Sequence, residues 1–208
     1  SAAGLISLHF VNVISIPMVA PFGGRQSRFV TNPIAIGVPR AGQPPLVLDF
    51  ATSKIAVGKA RVALNEGKQV PLDSLLDSDG EPSRNPADLF KVPRGALLPF
   101  GEHKGSGLAL MCEILGAALI GGPVMTGAPA SRRIVNNMLT IAIDPGFFAE
   151  HGAMDDSITQ LIEWVRGSKP VDAGKAILFA GEPELASRQR RAKGVPIDAN
   201  TWTELENA

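Results

Sequence analysis

Apolar and polar positions divide this chain into short elements. β-Branched and aromatic residues predict a strand around Leu8–Ile14, a second over Ile34-Ala35-Ile36-Gly37-Val38, and a third over Leu46-Val47-Leu48-Asp49-Phe50 that ends in a carboxylate. Helical spacing runs over Ile55–Asn65, after the hydroxyls of Thr52 and Ser53 as N-cap and up to a stop at Gly67. Residues 67–99 lose all periodicity, and five prolines there exclude a long regular element, which leaves a surface excursion with short turns. A buried apolar helix is predicted from about Lys104 to Ile120, then a loop over 121–133 and a strand, Met138–Ile143, closed by Asp144-Pro145-Gly146. Asp155–Arg166 places Ile158, Leu161, Ile162 and Val165 on one helical face. A short strand over Ala176–Phe179, a basic helix over Glu184–Lys193 and the start of a last helix over Thr201–Glu206 complete the chain. Strands and helices interleave but several connections are long, so the predicted class is mixed α/β (α+β) rather than a regular βαβ ladder.

Composition narrows the function classes. With 208 residues, 45% hydrophobic and 19% charged, this is an ordinary globular chain. Twenty basic against twenty acidic residues argue against nucleic acid as a partner, because phosphate recognition needs a positive surplus. The longest apolar run, Gly107–Gly122, has sixteen residues and contains Glu113, short of the ~20 needed to span a bilayer, so no membrane association is expected. The start has neither an initiator Met nor a basic segment before an apolar core, so it is no signal peptide and reads like the middle of a domain. Cys112 is the single cysteine, which excludes an internal disulfide, fits a reducing, cytoplasmic compartment, and reads as a small buried hydrophobe.

Most familiar chemical motifs are missing. No G-x-G-x-x-G follows a strand, no phosphate P-loop occurs, and H-E-x-x-H and G-x-S-x-G are absent. His9, His103 and His151 lack metal-ligand spacing, so no metal is expected. Asp77-Ser78-Asp79-Gly80 opens like a calcium loop but has no closing Glu, and reads better as a polar turn.

Three weaker signals remain. In Pro99-Phe100-Gly101-Glu102-His103-Lys104-Gly105-Ser106-Gly107, glycines let backbone approach a ligand and a helix start offers N–H groups and its positive dipole end. Lys104 adds a charge and His103 a flat donor, a set that suits an anion such as a pyrophosphate; the alternative is a glycine-rich turn with a solvated lysine. In Leu48–Ser53, a carboxylate at a strand end precedes two hydroxyls, suited either to ribose and phosphate or to simple N-capping. Gly181-Glu182-Pro183 lies at a strand–helix junction and, read alone, is a turn.

The ordered segments TNPIAIGVP (Thr31–Pro39), LDFATSKIAVGK (Leu48–Lys59), PFGEHKGSGLAL (Pro99–Leu110) and NNMLTIAIDP (Asn136–Pro145) resemble the type-2 malate/L-lactate dehydrogenase family. The likeness runs from Gly4 to about Leu205, and GLISLHFVNV, VTNPIAIGVP and FGEHKGSGLAL are most similar to its bacterial hydroxycarboxylate dehydrogenase B branch. The resemblance implies a non-Rossmann fold with a mixed, largely antiparallel sheet flanked by helices. It also implies an NAD- or NADP-dependent homodimer acting on small 2-oxo and 2-hydroxy acids. Placed residue by residue, it makes Asp49, Ala51, Thr52 and Ser53, then His103, Lys104 and Gly105, then Gly181, Glu182 and Pro183, the cofactor-contacting positions. On this reading residues 1–145 form a cofactor-binding core, with the proline-rich excursion at 67–99, and 146–208 a helical segment packing back on it. The family's acid/base histidine belongs to a segment expected upstream of Ser1, and His9 reads as structural. The 208 residues are therefore expected to bind cofactor without turnover. A non-catalytic nucleotide-binding remnant and a phosphosugar-binding transferase are the rival readings.

Overall fold

The structure, a computed structural model, describes residues 2–127, 134–148, 150 and 152–207. Its strands are β1 (Ile6–Ile14), β2 (Ile34–Val38), β3 (Leu46–Phe50), β4 (Leu75–Leu76), β5 (Pro82–Ser83), β6 (Ala96–Leu97) and β7 (Val135–Ile143). Its α-helices are α1 (Val57–Asn65), α2 (Ala87–Phe90), α3 (His103–Gly116), α4 (Ala153–Arg166), α5 (Glu182–Arg190) and α6 (Ala199–Glu206). The class is the mixed α/β one that the interleaved pattern predicts. Two compact units share the chain by turns, the first made of Ser1–Leu8, Ala35–Asp49 and Thr140–Val195, the second of His9–Ile34, Phe50–Leu139 and Pro196–Ala208.

The four longer strands lie in the order β3-β2-β1-β7, which leaves β3 at an edge, and β1 and β7 each pass from one unit to the other along their length. The Val47 N–H on that edge donates to the Ala180 carbonyl at 3.2 Å. Residues 176–179, expected as a strand, form no ladder. Helix α4 takes its amphipathic pattern from Ile158, Leu161, Ile162 and Val165, yet only Ile162 of these is buried, and Leu161 and Trp164 face solvent.

The second unit holds the main apolar core. Val19, Ala60, Val70, Leu75, Leu89 and Leu97 are buried together, with Met18, Phe29, Ile55 and Phe90 against them. Most of that buried set comes from residues 67–99, so the expectation of a surface excursion is corrected. Prolines did prevent long elements: what forms is the antiparallel three-stranded sheet β5-β4-β6 of two-residue strands and the four-residue α2. They did not prevent burial, because Val70, Leu75, Leu76, Leu89 and Leu97 fall between the breaks and all leave solvent.

Helix α1 stops where Gly67 required. Gly67 sits at φ +66°, its N–H donates to Leu64 O and that of Lys68 to Ala63 O, a pair of bonds that satisfies the last carbonyls of the helix. The start differs from expectation. Ala56, with no side-chain cap, precedes α1, because Ser53 bridges to Pro99 and the Lys54 N–H donates to Leu98 O. The apolar run also ends early: α3 closes at Gly116 and a 3₁₀ turn, Ala118–Ile120, follows. The loop expected over 121–133 lies partly outside the described residues, as does His151.

Candidate functional site

In the second unit, two of the three candidate segments meet. Chain leaving β3 runs through Ala51 into Thr52 and Ser53, both buried. Thr52 donates twice to the Thr31 carbonyl, from its N–H at 2.9 Å and from its hydroxyl at 3.1 Å. The Ser53 hydroxyl donates to Ile55 O at 2.7 Å. These hydroxyls therefore brace an extended loop, and the expectation that they cap α1 is corrected. The Thr52 carbonyl accepts the Phe100 N–H at 3.0 Å, and Lys54 N–H donates to Leu98 O at 2.8 Å.

Gly105, in the first turn of α3, rests on this loop. A Cβ at that position would lie 2.4 Å from Phe100 O and 2.7 Å from Thr52 O, so only glycine permits the approach. The sequence assigned this glycine to ligand approach; its backbone instead approaches other backbone. A second expectation changes with it. The N–H groups of Lys104, Gly105 and Ser106 donate to Gly101 O, Phe100 O and Glu102 O, at 3.1, 2.9 and 3.2 Å. The helix start spends these amides internally, so the attraction for an anion there resides in the Lys104 ammonium and the helix dipole.

His103 and Lys104 are both exposed. The His103 ring packs edge-on against Phe22 with centroids 5.9 Å apart, and the Phe22 N–H donates to the Ser106 hydroxyl at 3.0 Å. The glycine-rich turn at 21–24 is thereby tied to the helix start. At Gly107, one position further, a Cβ would meet nothing within 4 Å and would face open space. Phe50 and Phe100 stack edge to face at 5.2 Å behind the loop.

The third candidate segment lies in the first unit. Gly181, at φ +93°, starts α5 and packs so closely on β3 that a Cβ would sit 3.2 Å from Val47 N. Glu182 accepts the Phe179 N–H at 2.9 Å with one oxygen and pairs with Arg166 of α4 through the other, while Arg166 also covers the Phe179 ring. Pro183 occupies the first turn, where its missing N–H costs nothing. Asp49 is exposed on β3.

Other candidates drop away. Burial pushes the Cys112 thiol up to about 11, with the Glu113 charge adding to the effect, which suits a packing residue and not a nucleophile. Asp77 accepts the N–H groups of Asp79 and Glu81, each at 2.9 Å, as a polar turn does. Among the described residues no group of three or more His, Cys, Asp or Glu is placed to hold a metal, and no helix is long and apolar enough to cross a membrane.

Sequence reasoning passed over Phe22, Thr31, Asn32 and Glu113. For Glu113 a signal existed: a lone carboxylate inside an apolar run must find buried donors. It accepts from Asn12 Nδ2 at 2.6 Å, Asn32 Nδ2 at 2.7 Å and Met125 N–H at 2.8 Å.

A family model described as malate/L-lactate dehydrogenase matches residues 1–206. Hydroxycarboxylate dehydrogenase B of Escherichia coli K12 is 49% identical over 214 aligned positions, covering 100% of this chain and 58% of the relative. A solved E. coli structure provisionally described as a malate/lactate dehydrogenase is 48% identical with a TM-score of 0.90, over 97% of this chain and 57% of that one. Sulfolactate dehydrogenase from Methanocaldococcus jannaschii is 34% identical with a TM-score of 0.79, over 99% of this chain and 59% of that one. The chain thus spans somewhat more than half the length of the proteins it matches.

Proposed function

This chain belongs to the malate/L-lactate dehydrogenase family, and from that premise we propose that it holds the nicotinamide cofactor, NAD or NADP, of an oxidoreductase interconverting a small 2-oxo acid and its 2-hydroxy acid. The observation that carries the reading is the meeting of Thr52–Ser53 with His103–Gly105, fixed by the Phe100 N–H bond to Thr52 O and by the close approach of Gly105. Two stretches singled out independently for anion and ribose chemistry are side by side.

The donor set fits a dinucleotide. Lys104 presents an ammonium at the positive end of a fourteen-residue helix, and its stem lies over Gly101, 3.6 Å from that residue's would-be Cβ. His103 presents a ring already oriented by Phe22, and Gly107 leaves space beside it. When bound, a nicotinamide dinucleotide supplies or accepts the hydride that separates the two acids. This chain's share is to bind and orient: Lys104 holds an anionic oxygen, His103 offers a flat donor, and the braced 51–53 loop fixes the wall opposite. The proposal also includes Asp49, Ala51, Gly181, Glu182 and Pro183 as cofactor contacts, on the strength of the sequence resemblance. Proton exchange with the substrate oxygen is assigned to the family's histidine. A homodimer in the cytoplasm completes the proposal.

Titration with NADH and NADPH, followed by nicotinamide fluorescence, tests it. Saturable enhancement by at least one of them is expected. An unchanged signal for both, together with binding of a sugar phosphate, would replace this reading with the transferase one.

A further inference from the structure

Glu113 plays no part in the binding just described, yet its buried side chain accepts three hydrogen bonds. It is 5% exposed, and both its oxygens accept. Counting the donors around it shows what it holds. Asn12 comes from β1, and its own oxygen accepts from Asn137 Nδ2 of β7 at 2.7 Å. Asn32 sits at φ +24°, a backbone state that asparagine tolerates better than most residues. Its amide is fully committed: Oδ1 accepts the Val13 N–H at 3.2 Å, while Nδ2 donates to Ala109 O at 3.2 Å as well as to Glu113.

Asn32 is joined by one peptide bond to Thr31, whose carbonyl accepts both bonds from Thr52. The same helix that bears Glu113 begins with His103 and Lys104, nine to ten residues earlier, or roughly 13–15 Å along the axis. Both halves of the site therefore trace back to one carboxylate. Through α3 it sets where the lysine stands; through Asn32 and Thr31 it sets where Thr52 stands.

We propose that Glu113 is a positioning residue that fixes the register of the α3 start against the Thr52 loop. The cofactor consequence rests on the function proposed above. Glutamine cannot replace it. Three donors converge on the group, and an amide offers one accepting oxygen and turns its own N–H groups toward the rest. Neither asparagine can flip to compensate, since each is held by a partner that needs its present orientation.

The test uses the full chain and three variants: Glu113→Gln, Asn12→Ala and Ile162→Ala, the last truncating a buried residue of α4 in the first unit. Two readouts are compared, the NADH dissociation constant and amide hydrogen exchange of residues 52–53 and 103–106 in the absence of cofactor. Glu113→Gln is expected to weaken NADH at least fivefold and to speed exchange at those amides at least tenfold. Ile162→Ala, for a comparable loss of melting temperature, should leave both within twofold of the unmodified chain. Should Glu113→Gln not fold, Asn12→Ala carries the same expectation at smaller amplitude. Equal effects in the Ile162 variant, or none in either of the others, would overturn the proposal. If the unmodified chain binds no NADH the cofactor reading falls, and the exchange comparison alone then upholds or overturns the positioning role.

Discussion

A single ammonium group distinguishes a solvated turn from an anion site. Lys104 is exposed and stands at the start of α3, where its own N–H and those of Gly105 and Ser106 are already bonded. Lys104→Ala should weaken NADH binding by roughly 1–3 kcal/mol, the range of a charge-assisted hydrogen bond, and an unchanged dissociation constant would return it to the solvated turn. Cys112 gives the opposite kind of prediction. Its thiol is raised from 9.0 to about 11 because the folded state disfavours the thiolate. The unfolded chain therefore ionises first, and this residue's contribution to stability is present below pH 9 and lost as pH climbs toward 11. In native protein at pH 8 the thiol should resist iodoacetamide, and it should react promptly in guanidinium. Lys104 was legible in the sequence because charge next to glycine is conspicuous. Thr31 and Asn32 were not, since their work is done by a carbonyl and an amide whose partners lie 21 and 81 positions away.

Helix α3 shows at the scale of an element why an apolar run is hard to read. Its buried residues are Gly105, Ala109, Cys112, Glu113 and Gly116, while Leu110, Met111 and Ile114 are exposed. Apart from the hydrogen-bonded Glu113, small size and not hydrophobicity selects that face. Gly105 lies on Thr52 and Phe100, and Gly116 packs on β1, where a Cβ would be 2.7 Å from Phe10 O. A hydropathy pattern carries no trace of such close contact, so a helix buried all round was the natural expectation. Gly105→Ala should destabilise by ~1–3 kcal/mol as the helix is pushed from the loop, and thermal melts should separate it from Gly107→Ala. At Gly107 nothing lies in the way of a methyl group, and the gain in helix propensity is worth up to ~1 kcal/mol. The last helix offers a pH test. Asp198 caps α6 by accepting the Thr201 hydroxyl at 2.7 Å and its N–H at 2.9 Å, which holds the carboxyl below its ordinary range. Its support for α6 is complete above that range and disappears as acid protonates it, so amide protection in 199–206 should fall at low pH before the core melts.

For the molecule as a whole, the long motifs told more than periodicity did. Segments such as LDFATSKIAVGK and PFGEHKGSGLAL identified the family because a dozen specified positions rarely coincide, and the match over residues 1–206 agrees. The partition of the chain was hidden, because each compact unit gathers three separate stretches and no change of composition marks the exchanges. Residues 67–99 misled for a related reason: proline content reports on regularity, whereas burial follows from where the leucines and valines fall between the prolines. The central claim is that the Thr52 loop and the α3 start together grip a nicotinamide dinucleotide. Titrating the isotope-labelled chain with NADH while following backbone amide resonances tests it most directly. The largest shifts are predicted at Thr52, Ser53 and His103–Gly105; saturable binding that leaves those amides unmoved would contradict it.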